Sequence, residues 1–472
     1  MTSSDGVFKQ SIKVKQFLSV LLIFGIAHGL YRGVQDNYLA QIIHIDEFER
    51  GLVEFFRELP GLLLVFILAT MYRFSETKVY KIGIAITLSG IVGLLLASTN
   101  TYIVILFLVV YSLGEHITMP VTSTITLHLA HPGKKGAALG IASMMQHGGK
   151  IGGFVIVTIL FLIFPRLGIA ETDAKGFKII FLISSVLLLA ATLVAFALKD
   201  EGIEVKRSRI YFNKKFNKYY GLEIFYGARK QIFLTFAPYV LILQYGATTS
   251  VISLLLALCA VFGMLFSPLV GRLIDRLGYK TIMVADTLIL VIVCLLYGFS
   301  HRLFSHEVAF IVVSINYVLD SILTLGSLAT NVYVQEIADN SEELTSTLST
   351  GISVNHLISV IIALLGGLIW QKVGIEVLFS LAALLGIANS LEGMDLYEMG
   401  MTSHNPMTQM ATIQFLSSLQ DDRVEELLFK AFSSPFLQVR MEAAYALALH
   451  RSEKVTGMID SLMQKLPPFV HV

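Results

Sequence analysis

The chain has 472 residues, of which 55% are hydrophobic and only 15% charged, with a formal net charge of +1. A soluble protein of this length interrupts its apolar runs with exposed polar positions, whereas here runs of bilayer-spanning length recur throughout, which places the chain in the membrane class. A near-zero net charge without a basic, aromatic-interleaved run excludes nucleic acid as a partner.

In chain order, spans are expected at 17–41, 51–71, 80–98, 102–125, 137–163, 178–198, 219–243, 249–270, 281–299, 307–332, 346–370 and 374–393. Each is about the length that crosses a ~30 Å hydrocarbon core. The first follows Lys9, Lys13 and Lys15 and shows no small-residue cleavage pattern, so it is expected to be retained as a spanning helix. Lysine and arginine in alternate connections set the orientation: Arg73, Lys78 and Lys81, then Lys134 and Lys135, then Lys206 to Lys218, then Arg272, Arg276 and Lys280. These connections are expected inside and both termini cytoplasmic, in a plasma-membrane protein. The segments "HIDEFER" (44–50), "STNT" (98–101) and "QYGATTS" (244–250) are expected outside. The acidic "QEIADNSEE" (335–343) departs from this pattern, although acidic residues weigh little in it.

The seventh span starts 202 residues after the first, and Gly271 follows Ala69 by the same interval, so a six-helix unit is used twice. The expected organisation is a first half over 1–198, a basic cytoplasmic linker over 199–218, a second half over 219–393 and a cytoplasmic helical tail over 394–472. The linker reads either as a solvated connection or as an amphipathic segment on anionic headgroups. Within the tail, 424–450 resembles one HEAT-type repeat turning at Pro435, with a generic helical hairpin as the alternative. Cys259 and Cys294 lie inside apolar runs and read as packing residues.

Between the eighth and ninth spans stands "GRLIDRLGYK" (271–280). With twelve spans in two halves and a basic central loop, this decapeptide resembles the cytoplasmic loop motif of major facilitator superfamily transporters over roughly residues 10 to 395. The resemblance is carried by Gly271, Asp275, Arg276, Gly278 and Lys280, with Tyr279 replacing the first of the motif's final basic pair. It implies a gating role, in which the glycines permit a tight turn and Asp275 caps a helix or pairs with an arginine. The equivalent stretch of the first half, "ATMYRFSETKVYK" (69–81), keeps only Arg73 and Lys78. "QHGGKIGG" (146–153) resembles the glycine-rich antiporter motif of some exporters, and close packing of small residues is the plainer account of it.

Ionisable residues inside a bilayer mark a pathway or a pair. The transport-cavity candidates are His28, Arg32, Asp36, Glu58, Glu115, His116, Arg229, Asp320 and His356. Pairing of Arg32 with Glu58 is expected, while Asp36, Glu54 and Glu223 lie close enough to span ends to face headgroups or water. "RELPG" (57–61) and "ITMP" (117–120) mark deformable helices. No phosphate-cradling loop, metal-spaced His/Cys cluster or nucleophile elbow is present, which argues against an ATP-driven pump, a metal or other cofactor and an enzyme. The expectation is an all-α secondary transporter of a small polar or charged organic solute, proton-coupled, working by alternating access. A drug or lipid exporter is the first alternative, and a transport-inactive scaffold whose tail (394–472) recruits a protein partner is the second.

Overall fold

A computed structural model describes residues 6–9, 12–71, 73–97, 99–199, 212–277, 279–327, 330, 334, 337–339, 341–401, 406–417 and 422–450. The first half runs α1 (Ile12–Asn37, continued by a π turn over Tyr38–Ile42), α2 (Glu47–Leu62), α3 (Leu64–Thr70), α4 (Glu76–Leu96), α5 (Thr101–Leu129), α6 (Lys135–Ile163) and α7 (Ala174–Phe196). The second runs α8 (Asn217–Tyr245), α9 (Thr249–Leu277), α10 (Tyr279–Leu303), α11 (His306–Leu323), α12 (Ser341–Val373) and α13 (Ile375–Met401). Three short helices follow: α14 (Pro406–Leu416), α15 (Asp422–Ala431) and α16 (Leu437–His450).

Every predicted span falls on a helix, the second on two and the tenth on α11 as far as Leu323, with part of its end outside the described residues. Nine helices among the described residues are long and apolar enough to cross a membrane. The three remaining passes depart from that pattern for visible reasons. The second bends at Leu63 just after Pro60 and Gly61, α8 carries Glu223, Arg229 and Lys230, and in α13 the apolar stretch is described only over Ile375–Asn389, the side chains beyond lying outside the described residues. "ITMP" does not break its helix, for α5 continues through Pro120 to Leu129.

The start of α2 differs instructively from expectation. Its N-cap is Asp46, whose carboxylate accepts from Glu49 N at 2.8 Å while the Glu49 carboxylate accepts from Asp46 N at 3.1 Å. This reciprocal capping box begins the helix at Glu47, so most of the supposed loop 44–50 is helix and Arg50 lies in its first turns.

Within the first half, α1 packs on α6 and α7, and α4 on α5 and α7. A Cβ at Gly29 would stand 2.1 Å from Lys150 O, and one at Gly153 would stand 2.3 Å from Ile26 O, so the two helices touch backbone to backbone. In the second half, α8 packs on α12 and α13, and α10 on α11 and α13. The halves meet along two seams, α2 against α12 and α6 against α9.

The α2–α12 seam is antiparallel, with Gly51 against Ala363 and Glu58 against His356. At its Asp46 end it is closed, since a Cβ at Gly51 would stand 2.3 Å from Ala363 O and Gly367 lies against Glu47. Gln371 Nε2 also donates to Asp46 Oδ2 at 3.0 Å. Nearby, Asn37 Nδ2 donates to Ala247 O at 3.0 Å and Ser253 Oγ to Phe154 O at 2.8 Å, both across the halves. At the opposite end α3 buries none of its residues.

The helices after α13 form a core of their own around Leu416, Leu428, Val439 and Leu447. α15 and α16 make the expected hairpin about Pro435, and Ser434 ties it to α14 through Gln409 at 2.6 Å. Residues 451–472 and linker residues 200–211 lie outside the described residues.

Candidate transport site

Charged side chains from α1, α2, α5, α8 and α12 form a belt across the α2–α12 seam. At its centre Arg50 is fully buried, bridging Asp36 (3.0 Å) and Glu54 (2.9 Å), with its guanidinium 5.5 Å from the Tyr239 ring centroid. Asp36 and Glu54 are each 2% exposed, so the expectation that they face headgroups or water is wrong. A buried arginine with two carboxylates neutralises what neither could hold alone at that depth.

The belt continues along α2. Arg57 donates to Glu54 through Nε at 3.0 Å and through Nη2 at 2.5 Å, and to Glu58 Oε1 at 2.6 Å. The other oxygen of Glu58 meets His356 Nδ1 at 3.0 Å, and Gln231 Nε2 reaches Glu54 Oε1 at 3.3 Å. These two contacts, with the Tyr239 hydroxyl donating to Ile45 O at 3.2 Å, join the halves through polar groups. The expected Arg32–Glu58 pair does not form: Arg32 donates to Gln35 Oε1 at 2.6 Å, one turn along its own helix, and Glu58 is taken by the Arg57 guanidinium that Glu54 also holds.

His116 stands beside His356, ring centroids 5.2 Å apart and edge to face. Glu58, His116 and His356 each offer a donor atom, all within 4.8 Å of one another. His28 and Glu115 form a separate contact at 3.4 Å in the first half, where His28 Nδ1 also lies 3.0 Å from the Tyr111 hydroxyl. Arg229 and Asp320 pair at 2.6 Å inside the second half, joining α8 to α11. Glu223, expected at a span end, accepts from Asn355 at 3.1 Å, and Lys230 donates to the same Asn355 at 3.1 Å.

The nine candidates therefore resolve into an Asp36 group, a Glu58–His116–His356 group, a His28–Glu115 pair and an Arg229–Asp320 pair, with Arg32 apart. Sequence reasoning missed Arg50, Gln231 and Tyr239. For Arg50 the signal was present in the Asp-x-x-Glu capping pattern at 46–49, which extends the helix back over it. Of the loop motif, Gly271 and Arg276 lie in the last turns of α9 with Arg276 exposed, while Gly278 and the side chains of Asp275 and Lys280 lie outside the described residues. In "QHGGKIGG", Gly149 and Gly153 pack against α1, and Gly148 and Gly152 have no heavy atom within 4 Å of a would-be Cβ.

Two helical halves meeting along paired seams, with polar groups crossing between them, define a multi-pass membrane transporter architecture. The sequence pattern of the Major Facilitator Superfamily matches residues 17–218 and again 219–409, and the chain belongs to that superfamily, which is made up of transporters. No curated protein matches it. Solved structures share the fold at low identity. A nucleoside transporter, NupG, superposes with TM-score 0.62 at 14% identity, over 82% of this chain and 99% of its own. A POT family transporter in complex with 5-aminolevulinic acid gives 0.64 at 12% identity, over 80% and 94%. A bacterial homologue of the iron transporter ferroportin in an inward-facing state gives 0.63 at 16%, over 82% and 99%.

Proposed function

We propose that this protein is a proton-coupled secondary transporter of a small polar or charged organic solute, working by rocking of its two halves. The observation that carries the reading is the unequal seam: the Asp46 end is closed by glycine contacts and by the Gln371–Asp46 bond, while α3 at the other end buries nothing. The basic connections around Arg73, Lys78 and Lys81 support assigning the α3 end to the cytoplasm of a plasma-membrane protein with both termini inside. On that assignment the conformation is closed outside and open inside.

Arg50, Asp36 and Glu54 all belong to the first half and move as one unit. The polar contacts that must part on opening are Glu58–His356, Gln231–Glu54, Tyr239–Ile45, Asn37–Ala247, Ser253–Phe154 and Gln371–Asp46. At about 1 kcal/mol net for a neutral bond and roughly 1.5–3 for one to a charged group, they hold the closed state by several kcal/mol. Solute binding and new contacts at the α3 end must offset that difference for the other state to be populated.

Proton coupling is assigned to Asp320. Its carboxylate is buried against Arg229, with Asp286 also acting on that guanidinium and Asn316 one turn away on α11. Protonation of Asp320 releases Arg229 to an anionic group of the solute, and deprotonation takes it back. The mixed signs favour a polar or zwitterionic solute over the lipophilic cargo of a drug or lipid exporter.

The test is proton movement in proteoliposomes with a pH-sensitive dye, against pools of sugars, amino acids, peptides, nucleosides and organic acids. One pool is expected to move protons with the wild type and not with Asp320→Asn. Silence from folded protein across every pool, or undiminished coupling in Asp320→Asn, contradicts the reading.

A further inference from the structure

We propose that Glu58, His116 and His356 form a site for a divalent first-row transition metal at the seam between the halves. Two imidazoles and one carboxylate suit such ions, as distinct from Mg²⁺ or Ca²⁺, which prefer all-oxygen shells. Their donor atoms lie within 4.8 Å of one another. An ion about 2.1 Å from each needs donors roughly 3.4 Å apart, so closing the site takes side-chain movement of little more than an ångström.

The surroundings of the three side chains support this more than a simple ion pair does. His116 Nδ1 lies 2.8 Å from Ser112 O, an acceptor only, so that nitrogen carries the proton and Nε2 presents its lone pair. Backbone-anchored Nδ1–H is how ligating histidines are commonly oriented. Ser112 is fixed in turn, its hydroxyl donating to Arg57 O at 2.5 Å. Glu58 Oε1 is held by Arg57, which leaves Oε2 to face His356. A Glu58–His356 bond accounts for two members of the group. It does not account for His116, which faces the pair with its Nδ1 already engaged.

Gly61 keeps the position open. A Cβ there would stand 2.6 Å from His116 Nε2 and 2.8 Å from His356 Cε1, so any side chain would fill the space between the rings. Arg57, the nearest cation, is neutralised by Glu54 and Glu58. The ligands come from α2 and α5 of one half and α12 of the other, so a bound ion ties the halves together in this conformation. The site stands whether or not the chain moves protons.

The test is titration of purified, tag-free, full-length protein, stripped of metal, with Co²⁺ and Zn²⁺ at pH 7.5. Calorimetry reads stoichiometry and affinity, and visible absorption reads Co²⁺ coordination. One equivalent is expected, with a nitrogen-containing Co²⁺ spectrum and no competition from excess Mg²⁺ or Ca²⁺. His116→Ala, His356→Ala and the shape-conserving Glu58→Gln are each expected to weaken binding at least about tenfold. His147→Ala, on an exposed part of α6, is expected to leave it unchanged. Binding should weaken as pH falls, because protonated imidazoles cannot ligate. Absence of stoichiometric binding to folded wild type overturns the proposal, as does binding that survives Glu58→Gln together with both histidine variants.

Discussion

At the Asp46 end of the α2–α12 seam, Gly51 lies against Ala363, Gln371 reaches Asp46, and Arg50 sits fully buried between two carboxylates. At the other end, α3 buries no residue and Phe66 is 63% exposed. The second pass thus packs on α12 along the whole of α2 and then continues as the exposed α3, with the change coming where Pro60 and Gly61 bend it. A rigid bundle would pack evenly along its length. Uneven packing along one seam is what a pair of halves closed at one end and parted at the other requires.

The comparison is broken most severely at the belt. Arg50→Leu leaves Asp36 and Glu54 buried without their cation and is expected to cost about 3–5 kcal/mol, read as a large drop in the thermal unfolding midpoint of the detergent-solubilised protein. Next in size, Gly51→Ala places a methyl against the α12 backbone and is expected to cost ~1–3 kcal/mol of closed-state stability. Its readout is increased labelling of cysteines introduced at the Asp46 end. Tyr239→Phe keeps the ring over Arg50 and loses only the hydroxyl bond to Ile45 O, with an expected cost of about 1 kcal/mol by the same unfolding assay. Gly148→Ala has open space around its new methyl and is expected to stay within about 0.5 kcal/mol of the wild type, whereas an equal loss there and at Gly51 would erase the contrast.

Much of the fold was legible in the sequence because a bilayer imposes lengths, and apolar runs of the right length can hardly be anything else. The 202-residue interval and the loop at 271–280 carried the two-half organisation. The site was legible only in part. Arg229 and Asp320 could be picked out as deep charges, but that they pair with one another depends on how α8 and α11 cross. Asp36 near a span end gave no sign of burial, because its partner Arg50 stood in a segment that charge alone assigns to a loop. Hydropathy counts Arg50 as an interruption, whereas the structure buries it together with the acids that neutralise it. The join of Glu58 to His356, 298 residues apart in sequence, follows from the docking of two halves and leaves no local trace.

The most direct test of the unequal seam is a pair of spin-label distance measurements on the protein in lipid nanodiscs, with Cys259 and Cys294 replaced by alanine. One pair sits at Asp46 and Gln371, the other at the exposed Phe66 and Ile352. Alternating access predicts a short dominant distance at the first pair and a long one at the second, with a minor population in which both are reversed. Gly51→Ala, which crowds the α12 backbone at the closed end, should enlarge that minor population at both pairs together. Single narrow distributions that Gly51→Ala leaves unchanged, or changes at one pair only, would contradict the account.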